Sequence, residues 1–184
     1  MKHIATVALM LNLSLYAQQN SVKMKVSGTN VATTIDLQPG TVTDEVNFVG
    51  NGTLGPFTYR ELHADTMIPQ SSSTCAGGTG LYIQTPAGGG AFSFQDGSLL
   101  TVLLMEGSLC IDLAAGMAHF TAAYKITDGT GRFKGASGTL TLNSTVSVVL
   151  FTTSNAPVLL TNAGEFEGTI SGVTIGEQGQ DHRQ

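Results

Sequence analysis

The stretch His119-Phe120-Thr121-Ala122-Ala123-Tyr124-Lys125-Ile126-Thr127, continued by Asp128-Gly129-Thr130-Gly131-Arg132-Phe133-Lys134-Gly135-Ala136-Ser137-Gly138, decides the fold. Its first nine residues put Phe120, Ala122, Tyr124 and Ile126 on one side of an extended chain and His119, Thr121, Ala123 and Lys125 on the other. That is the period of a β-strand with one buried face, and it sends His119 and Lys125 to the surface. The glycines that follow allow a tight turn, because glycine enters the positive-φ region without a Cβ clash. Phe133 can plug one end of a barrel, while Ala136 and Gly138 let the next strand bend where neighbours crowd.

The same alternation spreads outward in both directions. Val22, Met24 and Val26 alternate with Lys23, Lys25 and Ser27, and Val31, Thr33, Ile35 and Leu37 with Ala32, Thr34 and Asp36. Further runs cover 42–49, 57–63, 99–106, 138–150 and 165–170. Between them fall turn chemistries: Gln38-Pro39-Gly40, Asn51-Gly52, Asp96-Gly97 and Asn162-Ala163-Gly164. Two stretches, Pro69–Gly80 and Thr85–Gly90, are rich in Gly with Ser or Pro and read as surface loops. The count predicts an all-β chain of about eight strands, and a closed antiparallel barrel over an open sheet, since these Thr/Val-rich strands carry few of the charges that protect an open edge.

Only 11% of the 184 residues are charged, against about 25% in an average domain. The net charge of −5 gives no footing for nucleic acid, whose binding rests on Lys and Arg neutralising phosphates. Residues 1–17 have a short basic start, an apolar run from Ile4 to Leu15 and a small Ala17, the pattern of a signal peptide; the run is too short to span a bilayer. The expected organisation is a leader at 1–17, one barrel at 18–175 and a polar tail at 176–184, with the mature chain secreted to the extracellular space or periplasm. In such an oxidising compartment Cys75 and Cys110, the only two cysteines, are expected to form a disulfide, worth roughly 3–4 kcal/mol on the chain-entropy account. Neither cysteine has histidines at zinc spacing, and no metal or cofactor is expected.

Three segments carry a resemblance to a known family: Ala91-Phe92-Ser93-Phe94-Gln95-Asp96-Gly97-Ser98-Leu99, the stretch from Ala123 to Gly138, and Gly164-Glu165-Phe166-Glu167-Gly168-Thr169-Ile170-Ser171-Gly172. Residues 91–172 resemble the allene oxide cyclase and dirigent barrel superfamily, whose mark is a strand entering a Gly-Thr-Gly-Arg-Phe turn followed by an Ala-x-Gly strand start, as in secreted bacterial-type relatives. The resemblance implies an eight-stranded barrel, and an activity of steering ring closure or radical coupling of a hydrophobic substrate in the lumen. It also implies trimers or other homo-oligomers. The family's catalytic residues find no matching motif in this chain. Asp128, Gly129, Thr130, Gly131, Arg132, Phe133 and Gly135 are therefore a fold signature, and with no helix following the turn they do not form a phosphate site.

One strand holds the candidate chemistry. Alternation in 57–63 puts Phe57, Tyr59, Glu61 and His63 on one face; turned inward, Tyr59, Glu61 and His63 would be an acid/base cluster beside an aromatic wall. The plainer expectation is that this polar face meets solvent while Leu62 faces the core. Arg132 is expected to pair with a carboxylate, and Asp112 to cap a turn. With no nucleophile elbow and no zincin pair, the sequence favours a non-catalytic module binding a small apolar ligand or a surface partner over a dirigent- or cyclase-like enzyme.

Overall fold

β-Branched residues and threonine at every second position pack well on a pleated, half-buried surface, and nearly the whole described chain is built that way. The computed structural model describes residues 19–71, 75, 81–112 and 115–173. The expected leader, the tail and residues 72–74 and 76–80 of the first loop lie outside the described residues. Ten strands follow one another: β1 (Asn20–Thr33), β2 (Thr41–Gly52), β3 (Phe57–Thr66), β4 (Gln70–Ser71), β5 (Leu81–Thr85), β6 (Ala87–Phe94), β7 (Leu99–Asp112), β8 (Met117–Gly129), β9 (Ser137–Phe151) and β10 (Pro157–Ser171). A single 3-10 turn, Gly131–Phe133, joins β8 to β9.

Eight of the strands close into an antiparallel barrel in the order β1-β2-β3-β6-β7-β8-β9-β10, with β10 paired back onto β1 and β7 paired to β8. β5 extends the β6 side of β7, and β4 adds to β5. An eight-stranded ring leaves an interior just wide enough for side chains to fill. Here Met24, Tyr59, Phe92, Leu100, Tyr124, Leu140, Phe166 and Ile170 fill it, each almost wholly buried.

Three sequence expectations need correcting. The Thr85–Gly90 stretch is β-structure: β5 and β6 share one register along β7, with the ladder to β7 interrupted from Pro86, which has no N–H to give it, to Gly88. Its glycines are there for a close approach, described below. The predicted strand through Leu37 ends at Thr33, whose hydroxyl accepts the Ile35 N–H and starts the turn. Asn162-Ala163-Gly164 is not a turn but the middle of β10, where a Cβ at Gly164 would press on Asn143 and Ser144 of β9.

The glycine turn closes one end of the barrel. Gly131 and Gly135 have φ of 59° and 77°, and the Asp128 carboxylate accepts the N–H groups of Gly129 and Gly135 at 2.7 and 3.2 Å. Phe133 is buried against Phe94 (ring centroids 4.6 Å apart), and Arg132 lies across both rings while its Nε stands 3.1 Å from Asp96. Other amides of the turn are also taken: Thr130 donates to the Leu99 carbonyl, Arg132 to Ser98 Oγ, Phe133 to the Thr130 carbonyl and Lys134 to that of Gly131. Midway along β7, a bulge between Leu104 and Glu106 reverses which side chains face inward. Leu100, Val102 and Leu104 face the lumen before it and Gly107, Leu109 and Ile111 after it, so Glu106 and Cys110 point outward. Cys110 is thereby available from outside, and the structure bonds it to Cys75. Asp112 caps a turn by accepting the Ala115 N–H.

Replacing Cys75 and Cys110 together by Ser is expected to lower unfolding stability by about 3 kcal/mol, read from the denaturant midpoint, while the far-ultraviolet β-spectrum persists. The bridge lies outside the ring and does not hold it closed.

Candidate functional site

The β3 face carrying Phe57, Tyr59, Glu61 and His63 points into the lumen, the reverse of the outward orientation expected for its polar groups. The cause is register: β3 pairs Glu61 with Val46 and Gly90, and His63 with Asp44 and Gly88, all on the inner surface of the ring. Glu61 and His63 are 3% and 2% exposed, while Leu62 is only half-buried. A buried polar group without a partner costs a few kcal/mol, so their partners decide whether this arrangement is tolerated.

Glu61 collects them. Tyr59, on the same strand, donates its hydroxyl to Glu61 Oε2. Tyr124, from β8 across the lumen, donates to Oε2 at 2.9 Å and lies 3.2 Å from Oε1. His63 Nδ1 lies 3.0 Å from Oε1, and its ring stacks on Phe120. Beyond His63, its Nε2 is 3.6 Å from Asp65 Oδ2, and the other Asp65 oxygen accepts the Thr85 hydroxyl. Asp44, directly opposite His63 on β2, completes the group.

The glycines of β6 make this geometry possible. A Cβ at Gly90 would fall 2.7 Å from the Tyr59 hydroxyl oxygen, and one at Gly88 2.7 Å from the His63 Cβ. The two side chains therefore lie over a bare stretch of β6 backbone. A second buried set sits on neighbouring strands: Ser144 donates to Asn162 Oδ1 at 3.2 Å, and Asn162 donates to Asn30 Oδ1 at 2.6 Å.

Burial keeps protons on the two phenols. Tyr59 and Tyr124 are raised well above the ordinary phenol value, first by desolvation and then by the neighbouring Glu61. For His63, burial by itself lowers the pKa. Asp65 and Glu61 beside it outweigh that and hold it well above the usual imidazole value. Asp44 is raised by burial, which the nearby His63 only partly offsets.

The lumen beneath the cluster is solid. Tyr59, Phe92 and Phe166 stand 4.4–5.3 Å apart, and Tyr124 lies 5.8 Å from Phe166. Toward the glycine turn, Leu54, Phe57, Phe94 and Phe133 continue the packing. The polar groups therefore sit between this aromatic floor and the opposite mouth, where β1, β3, β7 and β9 end. A concavity of about 500 Å³ also lies outside the barrel, across β1, β10, β9 and β8, and His119 belongs to its wall.

Sequence reasoning singled out Tyr59, Glu61 and His63 but missed Tyr124, Asp44 and Asp65 as their partners. Alternation already put Tyr124 on an inward face, and Asp44 falls in a predicted strand. What alternation lacks is the register that sets Asp44 opposite His63 and the ring closure that carries Tyr124 across to Glu61.

No protein-family model matches the chain, and no curated protein matches it. Among solved structures, it is similar to a pterocarpan synthase dirigent protein, GePTS1, at 11% identity and a TM-score of 0.41, over 89% of this chain and 96% of that one.

Glu61→Ala would leave two hydroxyls and an imidazole without their acceptor, and is expected to cost about 3–5 kcal/mol in chemical denaturation. Tyr59→Phe, which removes one donor, is expected to cost about 1.5–3 kcal/mol. The phenols give a pH signature as well. Both states hold the proton below the unfolded value of about 10, so the contribution is intact there; above it only the unfolded chain ionises, and stability falls as pH rises. Absorbance at alkaline pH is expected to show Tyr59 and Tyr124 ionising only together with unfolding.

Proposed function

We propose that the chain is an exported, non-catalytic binding barrel that takes a small apolar ligand at the mouth opposite the glycine turn. One observation carries this reading: ten of the fourteen exposed large apolar side chains among the described residues gather at that end. Val31 stands near the end of β1, Ile35 and Leu37 in the β1–β2 turn, Val42 at the start of β2, Met67 and Ile68 after β3, and Val148 to Phe151 at the end of β9. Water-facing apolar residues concentrated around one opening favour an apolar guest. The inward polar groups below them can orient its polar end.

The filled lumen supports binding at the mouth over chemistry in the interior. A substrate reaching Glu61 would have to displace Tyr59 or Tyr124, both of which are held by that same carboxyl group. Export is supported by the Cys75–Cys110 bridge, which suits an oxidising compartment, and by the leader pattern at 1–17. Among the described residues no helix is long and apolar enough to cross a membrane. The acidic balance speaks against nucleic acid as a partner. A homo-oligomer, trimer or dimer, is compatible with the exposed Val49, Leu103 and Met105 on the barrel wall.

A second reading keeps the dirigent- or cyclase-like activity implied by residues 91–172. The convergence of Tyr59, Glu61, His63 and Tyr124 favours it, since two phenols and an imidazole around one carboxyl group are competent for proton transfer. Native mass spectrometry of the exported protein, with denaturing extraction of bound molecules, separates the two. The binding reading expects a chain starting near Gln18, two hydrogens lighter than its reduced mass, with an apolar molecule whose retention drops at least tenfold in Leu150→Asp or Ile68→Asp and is unchanged in Leu103→Asp. An empty mouth, together with turnover of a hydrophobic substrate that Glu61→Gln abolishes, would replace it by the enzymatic reading.

A further inference from the structure

Three carboxyl groups, Asp44, Glu61 and Asp65, meet at the polar end of the lumen, and none of them pairs with a described Lys or Arg. The described cations lie elsewhere: Arg60 pairs with Glu45 outside the ring, Lys23 with Glu165 and Glu167, and Arg132 with Asp96 at the far end. The one basic group among the three carboxyls is His63. An excess of acidic groups in a half-buried site is costly unless a cation joins them.

The imidazole is oriented for such a cation. Its Nδ1 faces Glu61 Oε1 at 3.0 Å, and its ring is fixed against Phe120. With the Nδ1 proton directed to Glu61, Nε2 faces the aspartates, and its nearest described carboxylate oxygen, Asp65 Oδ2, is 3.6 Å away; an entering cation displaces the Nε2 proton to solvent and takes the lone pair this frees. A carboxyl group on the distal nitrogen of a histidine is the usual support of a metal-binding imidazole. Donor atoms of Asp44, His63 and Asp65 lie within 4.8 Å of one another. A tetrahedral first-row ion, with bonds near 2.0–2.2 Å, sets its ligands about 3.4 Å apart, so a rotamer adjustment of the half-buried aspartates closes the set.

We propose that Asp44, His63 and Asp65 bind one divalent first-row cation such as Zn²⁺ or Mn²⁺, with Glu61 as the positioning residue on His63. One nitrogen and two carboxylates suit these ions; Ca²⁺, which takes six to eight oxygens, is the poorer fit. Asp65 stands two residues nearer the mouth than His63 on β3, and Asp44 stands level with His63 across on β2. The site does not depend on the mouth binding an apolar ligand, and its test uses no such ligand.

The oxidised protein is stripped with a chelator and titrated with Zn²⁺ alone, following heat and bound-metal stoichiometry. One ion per chain is expected, with affinity reduced at least tenfold in Asp44→Asn and Asp65→Asn, about tenfold to a hundredfold in Glu61→Gln, and unchanged in the outer-face variant His119→Ala. Because variants of a buried cluster can fail to fold, the unmodified protein supplies a second readout: substoichiometric Mn²⁺ is expected to broaden the His63 ring resonances before those of His119. No stoichiometric Zn²⁺, affinity unaltered in both aspartate variants, or broadening at His119 first would each overturn the assignment.

Discussion

Pairing of β7 with β8 turns a row of strands into a ring, and the rest of the molecule follows from that closure. An open sheet of these Thr/Val-rich strands would expose two hydrogen-bonding edges with few charges to protect them. Once the ring is closed, every inward side chain shares one narrow interior. Eight strands leave no spare width, so the inward residues must fit one another across the lumen as well as along their own strands.

That requirement explains the glycines better than turn chemistry does. Gly88 and Gly90 lie where the His63 and Tyr59 side chains lean across β6, and Gly28 lies where Phe48 does. In each case a large side chain on one strand needs a missing one on the next. The bulge in β7 solves a related problem. By reversing the alternation after Leu104, it puts Glu106 and Cys110 outside and leaves apolar Leu109 and Ile111 inside.

The interior is divided along the barrel axis. The glycine-turn end and the middle are a dry aromatic stack, with Arg132 covering the end as a cation over two rings. The other end is polar, and the hydrogen bonds of Tyr59, Tyr124 and His63 converge there on one carboxyl group. Partners on β3 and β8 are thus tied through Glu61, which couples the geometry of the polar end to the ring closure itself.

The sequence by itself determined most of the strands, the closed all-β architecture, the glycine turn and the cysteine pair, because each rests on residues close together in the chain or on simple alternation. It also drew attention to Tyr59, Glu61 and His63, but gave their face the wrong direction, since a period of two says which residues share a face and not which face is inside. Only the tertiary structure decided that. Register with β2 and β6 turned the polar face inward, and closure brought Tyr124 from β8 to Glu61. Stretches that looked like loops or turns, Thr85–Gly90 and Asn162-Ala163-Gly164, became strand because their small residues answer to bulky neighbours on other strands. Those neighbours are distant along the chain, and local pattern carries no trace of them.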